Sequence, residues 1–467
     1  MPRLASLKSL YRLSSRSSSF LPAAANVIPS SSYQWGQRHT RSVETMASSK
    51  LKAAEHLKGL EGSVWVEFVK LTTEEKAINL GQGFPDFAPP NSVTQALTEI
   101  LAPGSNPLMN QYTRSYGHAR LVNAIAAMYS KFIGREVDPM TGVLVSVGAY
   151  GSLYYAINSH VNPGDEVIII EPFFDCYEPM VRMARGVPRF IPLRPKNEGV
   201  TSTRDFYLDT EELKGLFNKK TKAIVVNNPN NPLGKIFSEE ELTVIADLCK
   251  EHDVMCISDE VYEHLVYSGN KFTRMASLPG MWDRTITVCS AGKIFSATGW
   301  KLGWSIGPQH LIKNSQTLHQ NCVYNCPTLI QEAVARGLEL EFSRLGQPEC
   351  YFLELPRELE EKRNKMEKVL KESSFIPIIP EGGYFMMAKY GHLGVDVSAY
   401  GDGPQDYKMV RYLTKTQGVA TIPCSAFYSA EHKSLGEPYI RFCFIKEDCT
   451  IDKAAEKLKA FSKSLKA

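Results

Sequence analysis

The sequence predicts an α/β protein organised on a mostly parallel sheet, and three observations carry that expectation. Apolar, β-branched runs at 142–147, 166–170, 221–226, 253–258 and 284–289 lack polar–apolar alternation. Strands covered by helices on both faces read this way. The runs that begin at 221, 253 and 284 are spaced by about thirty residues, the size of one βαβ unit. Each run also ends in a small or polar cluster: Gly148–Gly151, Phe173–Asp175, Asn227–Asn231, Asp259–Tyr262 and Ser290–Lys293. Open α/β sheets bind ligands beyond the carboxyl ends of their strands, so five such clusters point to one shared pocket.

The whole chain sets the outer bounds. At 467 residues it is long enough for two cores, and a net charge of +3 gives no electrostatic case for nucleic acid. No apolar run approaches membrane-spanning length, so a soluble protein with no membrane partner is expected. The ten cysteines are scattered through apolar segments, and no matching Cys/His pair completes a zinc site around Cys322 and Cys326. Buried, reduced thiols in an intracellular protein are the expectation.

The first 43 residues contain no Asp or Glu but carry Arg3, Lys8, Arg12, Arg16, Arg38 and Arg41 among many serines. That composition is expected of a mitochondrial transit peptide, taken as residues 1–45 and directing the chain to the matrix. Translation from Met46 would give a cytosolic form. Residues 46–92 read as an N-terminal arm and part of a small domain, 93–345 as a large domain, and 346–467 as the rest of the small domain.

Along the chain, residues 51–70 look helical, with Trp65 and Phe68 close together. Gly81-Gln82-Gly83 before Pro89-Pro90 is a loop of close backbone approach. Helical periodicity resumes over 121–132, after Tyr112 and Gly117. After the run 142–147, Gly148-Ala149-Tyr150-Gly151 reads as a turn, with a helix from Ser152 whose N–H groups suit a phosphate. Ser238 caps an acidic first turn, Glu239-Glu240-Glu241, of an amphipathic helix that runs to Lys250. Helices follow over 311–326, 328–345 and 353–373, then strands around 376–387 and 437–444, and a last helix from Thr450.

Two charged features stand out. Lys293 lies among small, hydroxyl-bearing residues just past a core strand, where desolvation makes an amine a usable nucleophile or base. Ser290, Ser296 and Lys301 beside it can bind an anion. Arg441 sits within Tyr439-Ile440-Arg441-Phe442, where an unpaired guanidinium is costly. Its partner is either a buried Asp or Glu or the carboxylate of a substrate.

Asn231-Pro232-Leu233-Gly234, Ser258-Asp259-Glu260-Val261-Tyr262, Ser290-Ala291-Gly292-Lys293 and Tyr439-Ile440-Arg441-Phe442 together resemble the fold-type-I pyridoxal-phosphate aminotransferases. Asn79-Leu80-Gly81-Gln82-Gly83-Phe84-Pro85-Asp86, Phe174-Asp175-Cys176-Tyr177-Glu178-Pro179 and Ser296-Ala297-Thr298-Gly299-Trp300-Lys301 narrow the resemblance. They point to the kynurenine aminotransferases, also called cysteine-S-conjugate β-lyases or glutamine transaminases. The resemblance implies a large cofactor-binding domain, with a mostly parallel sheet between helices, and a smaller α+β domain.

It also implies roles. Lys293 would be the covalent attachment point of pyridoxal phosphate and the amine that moves the substrate proton. Asp259 would pair with the ring nitrogen, Tyr262 and Asn231 with the ring oxygen, and Phe174 would stack on the ring. Gly148, the Ala149 backbone, Ser290 and Lys301 would hold the phosphate, with Tyr112 reaching it from the other subunit of a homodimer. Arg441, helped by Asn231 and the Gly83 backbone, would bind the substrate α-carboxylate. Tyr150 would lie against the cofactor and, with Trp65 and Phe174, shape an aromatic side-chain pocket. No second arginine is assignable to a side-chain carboxylate. The implied reaction is therefore transamination of kynurenine, glutamine, methionine or phenylalanine with 2-oxo acids, giving kynurenic acid from kynurenine. A β-lyase activity on cysteine S-conjugates is the alternative.

Overall fold

The computed structural model describes residues 53–465, and residues from Glu55 onward cluster as one unit. The expected transit peptide and the Met46 start lie outside the described residues. The main sheet comprises β1 (Val143–Val147), β2 (Glu166–Glu171), β3 (Val187–Pro192), β4 (Thr221–Asn227), β5 (Met255–Asp259), β6 (Thr285–Ser290) and β7 (Leu302–Ile306). Its spatial order is β1-β7-β6-β5-β4-β2-β3, and only β7 runs against the others.

Alternate residues of each central strand enter different cores. Val167 and Ile169 pack with Val225, Ile257 and Ile312 on one face; Ile168 and Ile170 pack with Ile224, Ile245 and Cys256 on the other. Both faces are dry, which is why these strands are apolar throughout. Helix Glu239–Glu251 covers one face and begins with a capping box: Ser238 Oγ accepts from Glu241 N, and Glu241 Oε2 accepts from Ser238 N.

Two strands escape the apolar-run criterion. In β7 the sequence Leu-Gly-Trp-Ser-Ile is diluted by Gly303 and Ser305, yet every residue is buried. Edge strand β3 has an exposed half, so its apolar content is low. Helix Asn91–Leu101 was not anticipated either, and the helix expected over 51–70 runs over Val64–Glu74. Gly148–Gly151 form not a turn but the first turn of helix Gly148–Asn158. The reversal from β1 is made by Gly148 alone, in the left-handed region at φ +68°.

A second, antiparallel sheet contains β8 (Ile376–Ile378), β9 (Phe385–Lys389), β10 (Ile422–Pro423) and β11 (Tyr439–Cys443), in the order β8-β9-β11-β10. Arg441 lies in β11, one of the two inner strands, opposite Met387 of β9 and Ile422 of β10. Helices Tyr351–Glu372 and Asp448–Ser464 cover this sheet through Leu359, Met366, Ile451 and Leu458. The loop after β4 joins the two sheets: the Gly234 carbonyl accepts from Glu381 N and Gly382 N. A Cβ at Gly234 would meet Pro380 at 2.4 Å. No helix among the described residues is long and apolar enough to cross a membrane.

Candidate active site

The strand ends of the main sheet and the inner face of β11 enclose a cavity of about 310 Å³. Trp65, Gly83, Gly148, Ala149, Tyr150, Phe174, Asn231, Asp259, Tyr262, Ser290, Lys293, Lys301 and Arg441 all line it. Of the residues singled out from sequence, two are elsewhere: Ser296, buried with its hydroxyl bonded to that of Tyr351 at 2.8 Å, and Tyr112. Tyr112 is 84% exposed and borders a separate hollow with Gln111, Asn325 and Thr328.

Lys293 is carried by the short helix Ala291–Ile294, directly after β6. Burial pulls its amine down to about 8, aided by the Arg441 and Lys301 charges and opposed by Cys443 and Asp259. Nζ donates to the Tyr384 hydroxyl at 2.6 Å and to the Gly83 carbonyl at 3.4 Å. Asp259 ends β5 and is 3% exposed. Burial pushes its carboxyl up to about 6, against the Tyr177 hydroxyl, which donates to Oδ2 at 2.5 Å, and the Lys293 charge. A buried carboxylate in that condition is relieved by a further cationic N–H.

Asn227 orders the neighbouring loop by donating to the Asp259 carbonyl at 3.0 Å and accepting from Asn231 N at 2.7 Å. Asn231 then turns its Oδ1 to Arg441, which donates to it at 2.9 Å. The second Arg441 bond goes to the Gly81 carbonyl at 2.9 Å, while Gly83 lines the cavity beside it. Arg441 is 0% exposed and its Nε has no partner. Among the described residues no carboxylate pairs with it, which removes the buried-acid alternative. Phe385 lies over its face at 3.8 Å and Trp65 at 5.3 Å. Trp65 is itself fixed by donating from Nε1 to Asp175 Oδ2 at 2.7 Å.

The opposite end of the cavity is an anion cradle. Helix Gly148–Asn158 has no side-chain cap, so its first N–H groups face the cavity end unclaimed by a side chain. A Cβ at Gly148 would sit 3.5 Å from Lys301 Nζ, and one at Gly303 would collide with Ala149 N at 2.5 Å. The missing side chain of Gly303 lets the helix start seat directly on β7. Ser290, whose side chain caps no backbone group, completes the cradle. A phosphate-bearing ring fits these donors: an anion at the cradle, a ring nitrogen at Asp259, a ring face at Phe174 and an aldehyde within reach of Lys293.

Sequence reasoning missed Tyr384, Phe385, Tyr177 and Gly81. Tyr177 lay in the Phe174–Pro179 run one helical turn past Phe174, and that spacing was the available signal. Tyr384 and Phe385 carried none, because β9 brings them in from more than ninety residues away in the chain.

A family model described as aminotransferase class I and II matches residues 75–458. Kynurenine–oxoglutarate transaminase 3 of Homo sapiens is 51% identical over 424 residues, 90% of this chain and 93% of that protein. Kynurenine–oxoglutarate transaminase 1 of Homo sapiens is 45% identical over 423 residues, 89% of this chain and 100% of that protein. Among solved structures, Bna3p of Saccharomyces cerevisiae superposes with a TM-score of 0.82 at 31% identity, covering 89% of this chain and 100% of that one.

Proposed function

The chain belongs to the class I and II aminotransferases, and from that premise we propose that it transfers the amino group of kynurenine and other large neutral amino acids to 2-oxo acids. One observation carries this reading: a lysine held at about 8 shares a cavity with a fully buried arginine that no carboxylate neutralises. The first is an amine able to act as a base near neutral pH; the second is a prepared site for an amino acid's carboxylate.

The cofactor is pyridoxal phosphate, which supplies the electron sink for the charge left at the substrate α-carbon. Lys293 would hold its aldehyde carbon, Asp259 its ring nitrogen, Tyr262 and Asn231 its ring oxygen, and Phe174 its face. Ser290, Lys301 and the backbone at Gly148 and Ala149 would hold its phosphate. Arg441 and Asn231 bind the α-carboxylate, which sets the α-carbon near Lys293. Once the substrate's amino group has displaced it from the aldehyde carbon, the freed Nζ would take the α-proton. Asp259 stays ionised once it faces a cation, and Tyr262, whose phenol burial pushes well up, stays a proton donor. Trp65, Phe385 and Tyr150 give the side-chain end an aromatic wall that excludes water and suits kynurenine or phenylalanine.

The assay is purified enzyme with kynurenine and a panel of 2-oxo acids. Kynurenic acid in step with the new amino acid supports the reading; its absence with every acceptor contradicts it. Release of pyruvate and ammonia from an S-aryl cysteine would add β-lyase activity.

A homodimer with shared sites forms part of the proposal. Tyr112, Leu108 and Tyr324 are large, exposed and near one another in sequence or by ring contact, which supports a partner surface there. Sedimentation at twice the monomer mass, lost with charged substitutions at these positions, is the expected outcome. Residues 1–45 are proposed to direct import into mitochondria; a reporter fused to them that stays cytosolic would refute this.

A further inference from the structure

The oxygens around Lys293 fix more than its position. Tyr384 donates its own proton to the Gly83 carbonyl at 3.0 Å. With that proton committed, the phenol oxygen presents a lone pair to the lysine, so the 2.6 Å contact is an N–H bond donated to Tyr384. The longer contact from Nζ to the Gly83 carbonyl, at 3.4 Å, lies on the same side. A neutral amine has two N–H bonds and one lone pair. One N–H bond directed at Tyr384, with the Gly83 carbonyl beside it, holds that side of the amine and frees the lone pair for the cavity.

Tyr384 is built to hold this role. It is buried, and burial keeps its phenol well above the ordinary value, so it retains its proton. The Tyr262 ring packs edge-on at 5.1 Å and Phe385 at 4.7 Å, which leaves the hydroxyl little freedom. The other charged or titratable groups that face Nζ are Asp259 at the end of β5, Tyr262, whose ring centre lies 5.6 Å away, Arg441 and Cys443 on β11, and Lys301 ahead of β7. None of these five is hydrogen-bonded to it among the described residues.

We propose that Tyr384 is a further catalytic residue, holding the Lys293 amine with its lone pair turned to the substrate α-carbon. This rests on the transaminase reading. The step is one proton transfer. The α-C–H bond breaks, an N–H bond forms at Nζ to give an ammonium, and the C–H electron pair stays on the substrate, where the cofactor withdraws it. The ammonium forms against two acceptors already in place, so its charge needs no rearrangement.

Tyr384→Phe removes one oxygen and keeps the ring. The first measurement needs no substrate: the rate at which cofactor-free protein captures pyridoxal phosphate, followed by absorbance against pH. Capture requires the neutral amine, so its midpoint reports the Nζ pKa. Losing an acceptor that favours the charged form should move that midpoint down by about one pH unit. In the loaded enzyme, kcat should fall about tenfold with KM changed by less than about twofold, because orientation and not binding is lost. The isotope effect on kcat with α-deuterated glutamine should grow as proton removal slows. An unchanged midpoint and an unchanged isotope effect would overturn the proposal, whatever kcat does, since packing alone would explain the loss. Capture without turnover of any amino acid by the wild-type enzyme would sink the transaminase reading, and this catalytic role with it.

Discussion

Arg274 and Arg441 are both buried cations packed on three aromatic rings, but they are used in opposite ways. Arg274 is saturated: its guanidinium reaches Glu260 Oε2 at 2.7 Å and Glu263 Oε2 at 2.5 Å. Burial pushes Glu260 up to about 7, while for Glu263 burial is the largest influence but is outweighed by the Arg274 and His264 charges and the Tyr129 and Arg274 hydrogen bonds together, which hold it below the ordinary carboxylate range. Arg441 has only the neutral oxygens of Asn231 and Gly81, and an orphaned Nε. A cation with carboxylates of its own is structure. A cation kept without them is a binding site, because its desolvation is offset only when an anion arrives. The same contrast separates Glu260 from Asp259, adjacent in sequence and on opposite sides of the turn: one faces Arg274, the other the cavity.

Four substitutions sharpen that contrast, from the largest effect down. Lys293→Ala, on the functional side, should lower turnover by at least about 10⁴-fold and abolish the absorbance of the lysine-bound cofactor. Its thermal unfolding should be no earlier than the wild type's without cofactor. Arg274→Ala should do the reverse, costing about 3–5 kcal/mol in denaturant unfolding because two buried carboxylates lose their counter-charge. Arg441→Ala should raise KM for neutral amino acids about 10²-fold, the worth of charge-assisted hydrogen bonds to a carboxylate, and leave unfolding almost unmoved. If Arg441→Ala were the one that melted the protein, the contrast would fail.

Asp259→Asn is the subtlest. The folded carboxyl sits at about 6, above the ordinary value, so its favourable share of stability is present at low pH and is lost as pH rises through about 6. In cofactor-free protein, Asp259→Asn should therefore stabilise by on the order of 2 kcal/mol above that pH and by almost nothing near pH 4. Turnover should fall severely at the same time. Thermal scans at the two pH values check the sign.

Much of this site was legible because its parts fall where apolar runs stop. Asn227–Asn231, Asp259–Tyr262 and Ser290–Lys293 each follow a dry strand, and strand ends of one parallel sheet must converge. The Arg274–Arg441 distinction was not legible. Arg274 follows Phe272-Thr273 and precedes Met275, Arg441 stands between Ile440 and Phe442, and what separates them is Glu263 against Gly81, partners set by tertiary packing. β7 was hidden for a local reason: Gly303 is required by the approach of Ala149, and that requirement erodes the apolar signal of the strand. Tyr384 was hidden by distance, arriving on the antiparallel sheet.

The most direct test compares phenylalanine with phenethylamine, which differ only by the carboxylate, as ligands of the cofactor-loaded wild-type and Arg441→Ala enzymes. Absorbance titration should show the wild type preferring phenylalanine by about 10²-fold and the variant showing almost no preference. A variant that keeps the wild-type ratio would contradict the assignment of Arg441 as the cation held open for the substrate.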